Sequence, residues 1–115
     1  MQDPELDLTV TVERTGPGEA LVRITGELDI RTSSPMLRPL GVLIGEPGFE
    51  LMRLDLTGVG FCDHAGLRAL HALGMAAGPG RVRIVAAHPS VDTILRLCGI
   101  STFLGYNAGA ATCPG

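Results

Sequence analysis

Residues 54–70 read LDLTGVGFCDHAGLRAL. Up to Phe61 the run is mostly apolar, while from Ala65 onward Leu67, Leu70 and Leu73 recur at helical spacing. A strand that passes directly into a helix is the unit of a parallel sheet, because the chain must cross back before a neighbouring strand can run the same way. The strand is expected over FELMRLDLTGVGF, residues 49–61, and its near-continuous apolar character predicts burial on both faces. The helix is expected from Ala65 to Ala77, stopped by Gly78-Pro79-Gly80.

Upstream, LDLTVTVERT alternates Leu6, Leu8, Val10 and Val12 with polar neighbours, and GPGEA turns it into a second strand, LVRITGELD. TSSPMLRPLGVLIGEPG predicts a helix capped by Ser33 or Ser34, with Pro35 near its first position and Leu37, Leu40 and Ile44 on one stripe. Pro39 predicts a kink or a shorter helix. Downstream, RVRIVAA reads as a strand and SVDTILRLCGI as a helix capped by Ser90, with Val91, Ile94, Leu95 and Cys98 along one face; TFLGY reads as one last strand. This order predicts an α/β fold: a mixed, mostly parallel sheet with an N-terminal β-hairpin, covered by helices. The 115 residues make one domain, with its core over about residues 6–106 and a flexible tail over 107–115.

A formal charge of −3, one Tyr, three Phe and no Trp give no electrostatic or stacking basis for direct contact with nucleic acid. No apolar run is long enough to insert into a membrane, and MQDPELDLTV lacks the order of a secretory signal, so a cytoplasmic address is expected.

Sites in such folds gather at the carboxyl ends of strands, and Asp63 stands at one. Its carboxylate suits a helix cap, and the same helix start could hold an anion of a partner. His64, His71, Cys62 and His88 match no standard zinc spacing, so no metal and no cofactor is expected. His64 is read as solvated and His71 as half-buried. Ser33 and Ser34 have no nearby base, and Glu27, Asp29, Asp55 and Asp63 form no recognisable acid–base pairing, so the chain is not read as an enzyme. Cys98 on the apolar stripe reads first as a small hydrophobe. Since Cys62 ends the neighbouring strand, a reversible Cys62–Cys98 disulfide is the second reading, with Cys113 exposed in the tail.

ITGELDIRTSS (24–34), LDLTGVGFCDHAGLRAL (54–70) and VRIVAAHPSVDTILRLCGISTFL (82–104) together resemble the STAS domains of bacterial anti-sigma factor antagonists, over about residues 8–105. The resemblance rests on Gly26-Glu27-Leu28-Asp29, on Asp63-x-x-Gly66-Leu67 and on Leu95-x-x-x-Gly99-Ile100. It implies a cytoplasmic switch protein that binds an anti-sigma factor of the serine kinase type and so releases a sigma factor for transcription. Glu27, Asp29, Asp63, His64, Ala65, Gly66 and Leu67 would form the partner-binding face, its carboxylates meeting arginines. Members silenced by their partner carry Asp-Ser-Ser/Thr-Gly at this loop, the first hydroxyl receiving phosphate; here those positions are His64 and Ala65. The phosphoacceptor is therefore substituted, and control by amount, or by the Cys62 and Cys98 thiols, is expected instead. Thr32, Ser33 and Ser34 are the nearest alternative hydroxyls. The alternative implied by the resemblance is an accessory STAS subunit of a lipid-transport ABC system, some of which have a non-serine residue followed by Ala-Gly at this loop. The oligomeric state is left open.

Overall fold

Two strands, β1 (Leu8–Gly16) and β2 (Glu19–Leu28), pair antiparallel, with Val10 opposite Ile24 and Val12 opposite Val22. The computed structural model describes residues 8–109; Leu6, Cys113 and the rest of the tail from residue 110 lie outside them. Gly18 closes the hairpin at φ 73°, where its α-carbon abuts the Gly48 carbonyl and leaves no room for a side chain. There follow α1 (Ile30–Ile44), β3 (Leu51–Cys62), α2 (His64–Ala77), β4 (Val82–Ala87), α3 (Pro89–Leu97), β5 (Thr102–Phe103) and β6 (Tyr106–Asn107).

The sheet order is β1-β2-β3-β4, with β2, β3 and β4 parallel. Both parallel crossovers step in the same direction, so right-handed connections put α1 and α2 on one face, where they pack against each other. The core lies between: Val22, Ile24, Met52, Leu54, Leu56 and Ile84 from the sheet meet Met36 and Leu40 of α1 and Leu67, Leu70 and Leu73 of α2. Val91 and Leu95 of α3 close it against β3.

Burial of β3 on both faces is corrected. Met52, Leu54 and Leu56 are buried, but the intervening Arg53 and Asp55 are only half-buried. They join a ladder of ion pairs on the other face, Arg23–Glu13 at 3.1 Å, Arg23–Asp55 at 3.7 Å and Arg53–Glu19 at 3.2 Å. The strand is a one-sided alternation that the flanking leucines and valines disguise in the sequence.

The first helix also differs from its sequence reading. It begins at Ile30, and its cap is Asp29, not Ser33 or Ser34. The Asp29 carboxylate accepts from the amides of Arg31 (2.9 Å) and Thr32 (3.2 Å), while the Asp29 amide donates to Thr32 Oγ1 at 2.9 Å, a complete capping box. Pro35 and Pro39 both lie inside the helix. Each removes one i→i−4 bond, but both are exposed, so the orphaned carbonyls of Arg31 and Pro35 face the water side.

In α3 the cap is His88, whose Nδ1 accepts from the Ser90 amide at 3.0 Å; the Ser90 hydroxyl instead donates to the Val59 carbonyl at 2.6 Å, tying α3 to β3. The expected final strand is two, β5 and β6, reversed at Leu104-Gly105, where both residues take positive φ. Tyr106 is buried and its hydroxyl donates to Asp92 at 2.8 Å, fastening this hairpin to α3, and β6 takes in Asn107.

Candidate functional site

The turns β2–α1 and β3–α2 meet because β2 and β3 are parallel neighbours that end in register, with Glu27 opposite Phe61 and Leu28 opposite Cys62. The Leu28 carbonyl is the junction. It accepts from the Asp63 amide at 3.2 Å, and Gly66 sits so close that a Cβ there would stand 2.5 Å from the same oxygen. Asp63 caps α2, its Oδ1 accepting from the Gly66 amide at 3.0 Å. Gly66 is thus needed for space: the first turn of α2 is seated on the end of β2, and a side chain would push it off.

The sequence-expected residues separate into two groups here. Glu27 and His64 are exposed, Asp63 and Ala65 half-buried. Gly66 and Leu67 are buried, Leu67 at 3% exposure within the core, so they position the face without presenting side chains to a partner.

Asp29 is also mostly enclosed, and its carboxylate is occupied by the cap and by Arg31, whose guanidinium lies 2.9 Å from Asp29 Oδ2 and 3.2 Å from Glu27 Oε1. Burial works to raise the Asp29 pKa, but hydrogen bonds from the Arg31 side chain and from the amides of Arg31 and Thr32 outweigh it and hold the carboxyl below its ordinary value. Of the nearby hydroxyls, Thr32 is buried and donates to the Glu27 carbonyl at 2.8 Å, half-buried Ser33 donates to the Asp29 carbonyl at 2.6 Å, and Ser34 is exposed.

Two shallow clefts flank the start of α2. One, of about 300 Å3, lies between α1 and α2 and is lined by Ile30, Ser33, Ala65, Arg68 and Ala69. The other, of about 340 Å3, lies between the end of β3 and α3 and is bordered by Phe61, Cys62, Asp63, Ile94 and Leu97. Ile30 (76% exposed), Phe61 (48%) and Leu97 (77%) stand out as apolar side chains turned to solvent. Sequence reading missed them. For Ile30 the available signal was its position immediately after the true cap, and for Leu97 its offset from the Val91–Leu95 stripe.

Cys62 is buried and Cys98 exposed, and both thiols are free. Cys98 caps the C-terminus of α3 beyond the apolar stripe, which corrects its reading as a core hydrophobe. Burial, with smaller contributions from Asp63 and Cys98, pushes the Cys62 thiol up to about 12. His71 is exposed, where half-burial was expected. Among the described residues no three His, Cys, Asp or Glu side chains are grouped to hold a metal, and no helix is long and apolar enough to cross a membrane.

The family model described as "Mlab, STAS domain" matches residues 11–105. Among solved structures, an anti-sigma factor antagonist from Mycobacterium paratuberculosis is similar at TM-score 0.70 and 25% identity, with 83% of this chain and 80% of that chain covered. The anti-sigma factor antagonist SpoIIAA in its unphosphorylated form is similar at TM-score 0.68 and 16% identity (80% and 82% covered). An antisigma-factor antagonist STAS domain from Rhodobacter sphaeroides is similar at TM-score 0.57 and 14% identity (80% and 95% covered). The last two speak to the fold alone. No curated protein was found to match the sequence.

Proposed function

The chain belongs to the STAS domain family, and from that premise we propose that it is an anti-sigma factor antagonist, a binding protein that acts by occupying a partner's surface. The likeness to the Mycobacterium paratuberculosis antagonist over most of both chains carries this reading. Its partner is an anti-sigma factor of the serine kinase type, and its address is the cytoplasm.

The proposed docking face consists of Glu27, Asp63, His64 and Ala65, positioned by Asp29, Gly66 and Leu67, with exposed apolar side chains on either side. A phosphate on the second residue of the loop would bring close to two negative charges beside Asp63, a change able to break a docked complex. His64 carries no hydroxyl, so the partner's kinase activity leaves this loop unmodified. Control by protein amount is favoured over control by thiols, because a Cys62–Cys98 bond needs a thiolate and the buried Cys62 thiol resists ionisation.

A second reading, an accessory STAS subunit of a lipid-transport ABC system, is favoured by His64-Ala65-Gly66 and by the Mlab description of the matching family model. Native mass spectrometry of the reduced protein with candidate anti-sigma kinases and magnesium ATP separates the two. A complex in which the mass of this chain is unchanged supports the antagonist. Added phosphate would mean that another hydroxyl, with exposed Ser34 the most accessible, has replaced the lost one. No complex with any kinase, together with co-purification with a permease and its ATPase, supports the transporter subunit.

A further inference from the structure

The two edges of the sheet are finished differently. At the β4 edge the Ile84 amide donates to the Leu104 carbonyl at 2.9 Å and β6 packs alongside. At the β1 edge no described strand or loop pairs with the outward backbone groups. An edge strand turns half of its amides and carbonyls away from the sheet, and sequences usually blunt such an edge with proline, lysine or inward charge. From Leu8 to Val12 the strand reads LTVTV, with none of these.

The helix above this edge is apolar on the matching flank. Ile30 and Ser33 line the cleft toward α2, and Met36, Leu40 and Leu43 face the core. At 100° per residue Pro35, Pro39 and Val42 therefore lie on the opposite flank, over β1. All three are exposed, Val42 at 70%, and Val12 below them is 42% exposed. The Arg14 guanidinium forks onto the Glu46 carboxylate with two 2.8 Å contacts, tying the end of α1 to the end of β1.

We propose that this edge is a self-association surface, where β1 of a second copy pairs antiparallel with β1 about a two-fold axis at Thr11. That register sets Val10 against Val12 of the mate, Glu13 against Thr9 and Arg14 against Leu8, so no like charges face each other. The charges bordering the seam are already neutralised within each chain, Arg14 by Glu46 and Glu13 by Arg23. Dimensions also agree. With strands about 4.8 Å apart, a helix lying over β1 and β2 stands roughly 5 Å from the axis. The two α1 helices then come about 10 Å apart, the ordinary packing distance, with their proline and valine flanks in contact. The turns carrying Asp29 and Asp63 lie at strand ends outside the seam, so the pair presents two of them, directed oppositely.

Sedimentation equilibrium of the whole chain from about 1 μM to about 1 mM tests this. The expected mass rises with concentration from 12.0 kDa toward twice that value. Val12→Lys and Val42→Glu, both at exposed sites, keep the wild-type melting temperature at about 1 μM, where the chain is monomeric, and each weakens association on the order of tenfold or more. Leu97→Ser, on the distant α3 groove, leaves association unchanged. A chain that stays at 12.0 kDa throughout, association insensitive to both edge variants, or its loss in Leu97→Ser would each overturn the proposal.

Discussion

Replacing Gly66 with alanine sets helix propensity against packing at one atom. In an open helix Gly→Ala stabilises by about 1 kcal/mol. At Gly66 the new methyl would stand 2.5 Å from the Leu28 carbonyl oxygen and 2.7 Å from Leu28 Cγ. Ordinary contact is about 3.5 Å, so the first turn of α2 must retreat by about 1 Å. Neither obstacle can swing aside easily, since one is backbone and the other the branch point of a fully buried side chain. Overpacking of this kind costs about 1–3 kcal/mol, and the retreat also stretches the Asp63 cap. After the propensity gain the overpacking alone leaves a net loss of about 0–2 kcal/mol, which the weakened cap carries above zero, so the melting temperature falls by up to roughly 15 °C for a domain of this size. Gly41 is the internal control: it is exposed in α1 with nothing within 4 Å of the place a methyl would take, so Gly41→Ala is expected to raise stability by about 0.5–1 kcal/mol. Thermal and urea unfolding of both variants read the difference. A Gly66→Ala protein that melts at or above the wild type would refute the claim that α2 is seated rigidly on Leu28.

Asp29→Ala removes the side-chain half of the α1 capping box, the bonds its carboxylate accepts from the Arg31 and Thr32 amides, while the residue-29 amide can still donate to Thr32 Oγ1; stability falls by about 1 kcal/mol in urea titration. Because the folded carboxyl lies below its ordinary value, the wild type keeps this contribution above about pH 4 and loses it as the pH falls through the depressed value, so the two proteins converge in stability in strong acid. Tyr106→Phe withdraws a hydroxyl donor from buried Asp92 and costs about 1–3 kcal/mol; hydrogen exchange in residues 102–107 should accelerate with it. Iodoacetamide at pH 8 followed by peptide mapping should modify Cys98 in the native protein and spare Cys62, and equal labelling of the two would contradict the burial of Cys62. The same raised thiol makes the native state bind its proton where the unfolded chain has lost it, so stability is intact below about pH 8.5 and declines as pH rises from there toward about 12; Cys62→Ala should flatten that decline.

The order of elements was legible because each crossover announces itself: alternation in LTVTV, leucines at helical spacing after Asp63, glycine and proline after Ala77. What escaped were decisions made by contacts distant in sequence or by a choice between two local chemistries. Asp29, Ser33 and Ser34 are all competent caps, and propensity gave no reason to prefer the one whose choice puts two prolines inside α1. Ser90 looked like a cap until the Val59 carbonyl, 31 residues away, claimed its hydroxyl and left the task to His88. At the candidate site the motif Asp63-x-x-Gly66-Leu67 was visible, but its glycine and leucine turn out to be seating and core residues. Ile30, Phe61 and Leu97, which give the surroundings of α2 their apolar relief, belong to no motif and are exposed only because the tertiary arrangement leaves them so.

Arg31 changes what the acidic edge can offer a visitor. With its guanidinium spanning Glu27 and Asp29, the chain already carries, in place, the cation that a partner's arginine would otherwise supply. A partner docking there through arginine has to exchange one guanidinium for another, and exchange releases little net electrostatic energy. Association at this face should therefore respond weakly to ionic strength, and choice among partners falls to the fit of the apolar clefts on either side of α2 more than to attraction at a distance.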